Sequence, residues 1–212
     1  MLALRLMTRP VMAAGLLSGA SMFGAVLLLP LWFQIRLGEG AASTGLLLVP
    51  LGLGTLAVML IAGRLTDHYG GGVIALVGSL AVLGSTVPLP WLGPHPLIPL
   101  VQALLVLRGG GLGLSMLPVM TAAYTSVRPG DLGDATALAN IAMRVGEALG
   151  AALCVIALSR GLDAAGPPAG FTSAFLALTV ICVLATLAAA WLCHSELQQH
   201  QTPTALERIG IS

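Results

Sequence analysis

Gly63-Arg64-Leu65-Thr66-Asp67-His68-Tyr69-Gly70-Gly71-Gly72 is a short polar stretch between two long apolar runs, and its reading decides the fold. Arg64, Asp67 and His68 fall within five positions, a grouping found nowhere else in the first 90 residues. A water-soluble chain scatters such charges over its surface. Here charge is kept out of the apolar runs and collected at one bend, which places the bend where the chain meets water.

The rest of the composition agrees. Of 212 residues, 57% are hydrophobic and only 8% charged, against roughly 25% charged in ordinary soluble domains. So little charge cannot keep a folded surface dispersed in water, and the solvent for most of the chain is lipid. The net charge of +1 says nothing about nucleic acid, but no basic run is present to form a phosphate footprint, so no nucleic-acid partner is expected. All nine basic residues are arginine. Cys154, Cys182 and Cys193 lie in or beside apolar runs without metal or redox spacing, so they read as small buried residues. The first apolar run is too long for a cleavable signal peptide.

A hydrocarbon layer about 30 Å thick takes about 20 apolar residues in a helix. Six runs reach that length, at about 11–33, 45–62, 73–92, 97–125, 136–158 and 171–193. They are continuous rather than alternating, which excludes barrel strands, and backbone in lipid must then satisfy itself as helix. The expected fold is an all-α membrane protein with a six-helix domain over residues 1–193 and a polar tail over 194–212. Turn chemistry marks the connectors: Gly38 and Gly40, Gly93-Pro94-His95-Pro96, Arg128-Pro129-Gly130-Asp131, and Ser159 to Gly170 with Pro167-Pro168. With the N-terminus cytoplasmic, Arg5, Arg9, Arg64, Arg128 and Arg208 lie inside, and Arg36 and Arg160 outside. That bias favours both termini in the cytoplasm.

Arg108 and Arg144 fall inside expected helices. An arginine in a membrane helix costs about 2.5–3.5 kcal/mol to insert, so it faces protein or a water-filled path. Asn140, Arg144 and Glu147 share one helical flank, and the Arg144–Glu147 spacing allows an ion pair. The opposite flank carries Gly146 and Gly150, a small-xxx-small pair suited to close helix contact. The polar stripe either lines a transport path or neutralises itself while pinning the helix to a neighbour. Arg108, Gly111 and Ser115 share a face of the fourth helix, while Gly109 and Gly113 form another small-xxx-small pair. Close packing and ready bending both account for those glycines, and Arg108 itself either serves a path or bonds a neighbouring loop or carbonyl. Gln34 closes the first helix beside Trp32, for which an interfacial aromatic-belt position is expected. His68 and His95 lack partner ligands at metal spacing, so no metal is assigned, and no hydrolase elbow or phosphate loop is present.

Residues 63–70 resemble the Gly-x-Leu-Ala-Asp-Arg-x-Gly motif of the major facilitator superfamily, which lies between the second and third helices of each six-helix half. Pro30-Leu31-Trp32-Phe33-Gln34 is similar to the Leu-Pro-Leu-Tyr-Leu-Gln segment of its fourteen-helix drug:proton antiporter branch. Leu48-Val49-Pro50-Leu51, Arg108 through Gly113, and Gly133, Ala135, Thr136, Asn140, Arg144, Val145, Gly146 and Gly150 follow the same branch. The resemblance covers about residues 3–193 and matches the C-terminal half of such a transporter.

It implies efflux of small amphipathic compounds driven by protons, across a lipid bilayer, with a missing N-terminal half of six or eight helices as partner and no cofactor. It implies a cytoplasmic gate at Gly63, Arg64, Asp67, His68 and Gly70, with Arg108, Asn140, Arg144, Glu147 and Gln34 as candidates for the path. Departures are specific. His68 replaces the usual arginine, Gly71 and Gly72 stand where basic residues follow, and Glu147 stands where a small residue is usual. One half cannot rock against itself. The chain is therefore expected to be a fragment, a product of a misplaced start, or a partner to another half; the competing reading is a non-transporting relic or assembly partner. An enzyme is not expected.

Overall fold

The computed structural model describes residues 2–92, 96–125 and 132–201, with side chains from Met12 to His194 except 116–136, Ala139 and Ala165. The Gly93-Pro94-His95 turn, the Arg128–Asp131 connector and the tail beyond Gln201 lie outside the described residues. So do the side chains of Arg5, Arg9, Pro118, Ala135 and Thr136.

Every described segment of length is helical: α1 (Leu2–Arg36), α2 (Ala41–Tyr69), α3 (Gly71–Thr86), α4 (Ile98–Thr125) and α5 (Leu132–Gln201), with a short 3-10 turn at Leu89–Trp91. Lipid leaves the backbone no other donor or acceptor, so each apolar run closes its own hydrogen bonds. Six stretches are long and apolar enough to cross a membrane: Met12–Arg36, Ala41–Tyr69, Gly71–Trp91, Ile98–Ser115, Asn140–Ala164 and Gly166–His194.

Two expected connectors shrink to single glycines. The bend at 63–72 is helical as far as Tyr69, and the chain turns at Gly70 alone, with φ 85° and ψ 152°. That conformation is open essentially only to glycine. Gly70→Ala is therefore expected to cost about 1–3 kcal/mol, read as a lower unfolding midpoint in detergent, with Gly71→Ala as the helical control. The Ser159–Gly170 connector is likewise helical throughout apart from Gly166, at φ 79°. Gly166 with Pro167 and Pro168 folds α5 back on itself, because Ser173 Oγ donates to Ala157 O at 2.8 Å across the hairpin. The two limbs of α5 are thus separate spans.

The bundle is assembled through glycine. α1 and the first limb of α5 run parallel, and a Cβ on Gly146 or Gly150 would strike the backbone of Leu16 or Ala20. A Cβ on Gly19 would strike Met143 in the same way. α2 runs parallel to α4, with Gly109 against Leu51 and Gly54 against Val106. Thr55 Oγ1 donates to both Leu51 O and Gly109 O at 3.0 Å, joining the two helices. α3 lies antiparallel to α4, with Gly78 and Gly111 face to face. Bare backbone lets helices approach closely enough for dispersion contacts to hold them where lipid offers no hydrophobic drive. The glycine-rich start of Arg108-Gly109-Gly110-Gly111 thus serves two neighbours at once.

At the Gly38 end the core is aromatic. Trp32 is buried and meets Phe33 and Phe175 edge-on, with ring centroids 5.1 and 6.3 Å away. The belt position expected for Trp32 is not what the structure shows: this ring faces inward, against the second limb of α5. Trp91 and Trp191 are the exposed tryptophans. They lie at opposite ends of the bundle, where amphipathic rings favour the lipid–water boundary.

Candidate functional site

The polar residues of the bundle form three groups at different depths. The deepest is built on Arg108, about midway along α4. Its side chain is 1% exposed. It points into the bundle because Gly109 and Gly113 occupy the α2 side of the helix and Gly111 the α3 side. Arg108 Nη2 donates to Ser21 O of α1 at 2.8 Å, and Nη1 donates to Thr86 Oγ1 of α3. Thr86 sends its own proton to Val82 O at 2.6 Å and lies 3.8 Å from Cys182 Sγ. A hydroxyl has one proton and two lone pairs, so the guanidinium and the Cys182 thiol fill the acceptor capacity of Thr86. Arg108 thereby ties α1, α3, α4 and the second limb of α5 together. No carboxylate reaches it among the described residues, and its Nε lacks a hydrogen-bond partner there.

One turn nearer the Gly70 end is a small cavity of about 20 Å³, lined by Ser18, Ser21, Ser79, Ser115 and Cys182 among others. The hydroxyls of Ser21, Ser79 and Ser115 donate to carbonyls of their own helices. Their lone pairs are left for a donor, and the space suffices for a water molecule.

The second group is the stripe on the first limb of α5. Arg144 Nη1 donates to Glu147 Oε2 at 2.9 Å, the only ion pair among the described residues. The partners differ sharply in environment, with the Arg144 side chain 71% exposed and that of Glu147 8%. Asn140, one turn earlier, is half-buried. The flank expected to pack tightly is occupied by α1, and Glu147 lies at its edge while Arg144 lies on the open side.

The third group is the end of α2. Gly63, Arg64, Asp67, His68 and Gly70 are all exposed. Thr66 caps inward by donating to Ala62 O at 2.8 Å, and the His68 and Tyr69 rings meet edge-on at 4.7 Å. Arg64 and Asp67 form no ion pair with a described residue.

These groups do not converge on one point. Gln34 is exposed near the Gly38 end of α1. It lies 18 residues beyond Leu16, the α1 residue level with Gly146, or about 27 Å along the helix. Arg108 sits between these levels, beside Ser21. Sequence reasoning missed Ser21, Thr86 and Cys182 as the partners of Arg108. One signal was present: Ser79 and Thr86 are seven residues apart, as are Arg108 and Ser115, so each pair shares a helical face.

Six apolar spans, glycine-mediated packing and a buried arginine network describe a helical bundle built to span a membrane. The Major Facilitator Superfamily pattern matches residues 2–151, and the chain belongs to that family. Among its relatives, the Multidrug resistance protein B homolog of Mycobacterium tuberculosis is 30% identical over 72% of this chain and 28% of its own length. The Puromycin resistance protein pur8 of Streptomyces alboniger is 35% identical over 62% of this chain and 27% of its own. The Tetracycline resistance determinant of Streptomyces rimosus is 29% identical over 64% and 39%. The matched part of the chain thus spans well under half the length of these relatives.

Proposed function

We propose that these helices form the C-terminal half of a proton-coupled exporter of small amphipathic compounds in the cytoplasmic membrane, with both termini in the cytoplasm. The half works against a second bundle of six or eight helices, carried on the same polypeptide or on another chain. The carrying observation is the uneven burial of the spans. Half of the apolar centre of Met12–Arg36 and of Gly166–His194 is buried, but only 11% of that of α2 and 28% of that of the first limb of α5. The open limb bears Arg144, whose charge is costly against lipid and is accommodated by a polar path or a second bundle. Relatives named for multidrug, puromycin and tetracycline resistance support the class of cargo. The arginine distribution supports the orientation. On this reading Gly63, Arg64, Asp67, His68 and Gly70 form the cytoplasmic gate, and Arg108, Asn140, Arg144, Glu147 and Gln34 serve the path.

The test is export of a fluorescent amphipathic cation from cells that make the chain alone or together with a matching N-terminal half. Export is expected only from the pair, and collapse of the proton gradient is expected to stop it. No export in either arrangement, with membrane insertion confirmed, would instead assign the chain to the non-transporting class.

A further inference from the structure

We infer that Arg108 and the serine-lined cavity beside it form a site for one small monovalent anion of the chloride class, an inference that stands whether or not the chain exports. The guanidinium carries a full charge at 1% exposure, and no carboxylate reaches it among the described residues. A buried charge without a counter-charge is strongly disfavoured. A second bundle does not supply one in this arrangement, because α1, α3, α4 and the second limb of α5 enclose the side chain. Donors are in excess as well. A guanidinium has five N–H groups. Arg108 places two of them, on Ser21 O and Thr86 Oγ1, while its Nε lacks a partner among the described residues. Charge and spare donors together call for an anion small enough to diffuse in.

The cavity is placed and lined for such an ion. It borders the arginine network through Ser21, Val82 and Cys182. Ser21 O accepts from Arg108, Val82 O accepts from Thr86, and Cys182 Sγ lies 3.8 Å from Thr86 Oγ1. A volume of about 20 Å³ holds a particle the size of a water molecule. It admits a single halide ion and leaves no room for sulfate, phosphate or an organic carboxylate. The hydroxyls of Ser21, Ser79 and Ser115 bond carbonyls of their own helices. Such back-bonds are optional, because those carbonyls also accept from the helical ladder, so each hydroxyl can turn its proton into the cavity. The rest of the wall is apolar, from Val82, Leu112 and Ala185. Hydroxyls and methyl groups together suit chloride or bromide, which are large and weakly hydrated. They do not replace the tightly held hydration shell of fluoride. A cation of the same size is repelled by Arg108.

The experiment measures equilibrium binding of radioactive chloride to the purified full chain in detergent, with gluconate holding the ionic strength constant. One saturable site is expected, emptied by bromide and not by sulfate or fluoride at the same concentration. Arg108→Met should abolish the binding. The double variant Ser21→Ala, Ser115→Ala keeps the charge, removes two hydroxyls and should weaken chloride at least tenfold. Ala185→Val fills the cavity from its apolar side and should weaken chloride at least as much. Arg160→Gln removes an exposed charge of the same sign and should change the affinity less than twofold. If Arg108→Met fails to accumulate, the serine and Ala185 variants decide the matter. Absence of saturable binding, equal displacement by sulfate, binding that survives Arg108→Met, or binding indifferent to both cavity variants overturns the inference.

Discussion

Arg108→Met is expected to abolish export while leaving the bundle at least as stable as the native chain. The argument turns on what Arg108 leaves behind. Thr86 keeps its bond to Val82 O, and Ser21 O belongs to the α1 helical ladder, so neither becomes an orphan. Methionine fills a similar volume with an unbranched, adaptable side chain. Replacing a buried charged group by an apolar one of similar size is often neutral, or stabilising by about 1–4 kcal/mol. A chain that keeps a guanidinium 1% exposed and without a carboxylate among the described residues holds it for something other than stability. The check pairs the thermal midpoint in detergent with export from cells containing the complete assembly. A fall in midpoint that matches the fall in export would reduce Arg108 to a structural tie between four helices.

Gly146→Val should do the opposite, removing the folded protein rather than its activity. The first added carbon would overlap Leu16 O, and the next would meet the α1 backbone behind it. Overpacking a well-filled site commonly costs about 1–3 kcal/mol, sometimes more. Here the obstacle is main chain, which cannot rotate aside, so a loss of about 3 kcal/mol is expected. Membrane abundance and the unfolding midpoint would both drop. Gly52→Val is the control, because nothing lies within 4 Å of its Cβ position on α2. A tolerated Gly146→Val would mean that α1 and α5 are not held at this crossing.

The helices were legible because their cause is local. Lipid requires about 20 apolar residues per crossing, and each run supplies them without reference to the others. The glycine pairs Gly146/Gly150 and Gly109/Gly113 were legible for the same reason, since a bare flank shows in the spacing. What they touch did not show: that Gly109 meets Leu51 and Gly146 meets Leu16 depends on which helices become neighbours. The ends of the spans were blurred. Polar residues 63–69 and 159–165 read as loop, yet a helix continues through them until a glycine adopts positive φ. Polarity marks where a helix leaves lipid, whereas backbone conformation marks where it stops. Trp32 misled for a related reason. Its place near a helix end suited an interfacial ring, but Phe175, far along the chain, draws it inward. At the site, Arg108 and the Arg144–Glu147 pair announced themselves by charge. Ser21, Thr86 and Cys182 did not, being small residues scattered through apolar runs. The unequal exposure of Arg144 and Glu147 was invisible too, because it depends on α1 covering one flank.

The parallel crossing of α1 on α5 has a consequence for how the protein is made. Helices enter the membrane in the order in which they are synthesised, but the partner of Gly19 and Ala20 is the fifth to arrive. Trp32 waits longer still, for Phe175 in the sixth. Through the insertion of three intervening spans, the face of α1 that meets Gly146 and Gly150 lies in the bilayer without that partner. Release before the fifth span is made is therefore hazardous, and the insertion machinery is expected to retain α1 until the hairpin at Gly166 has formed.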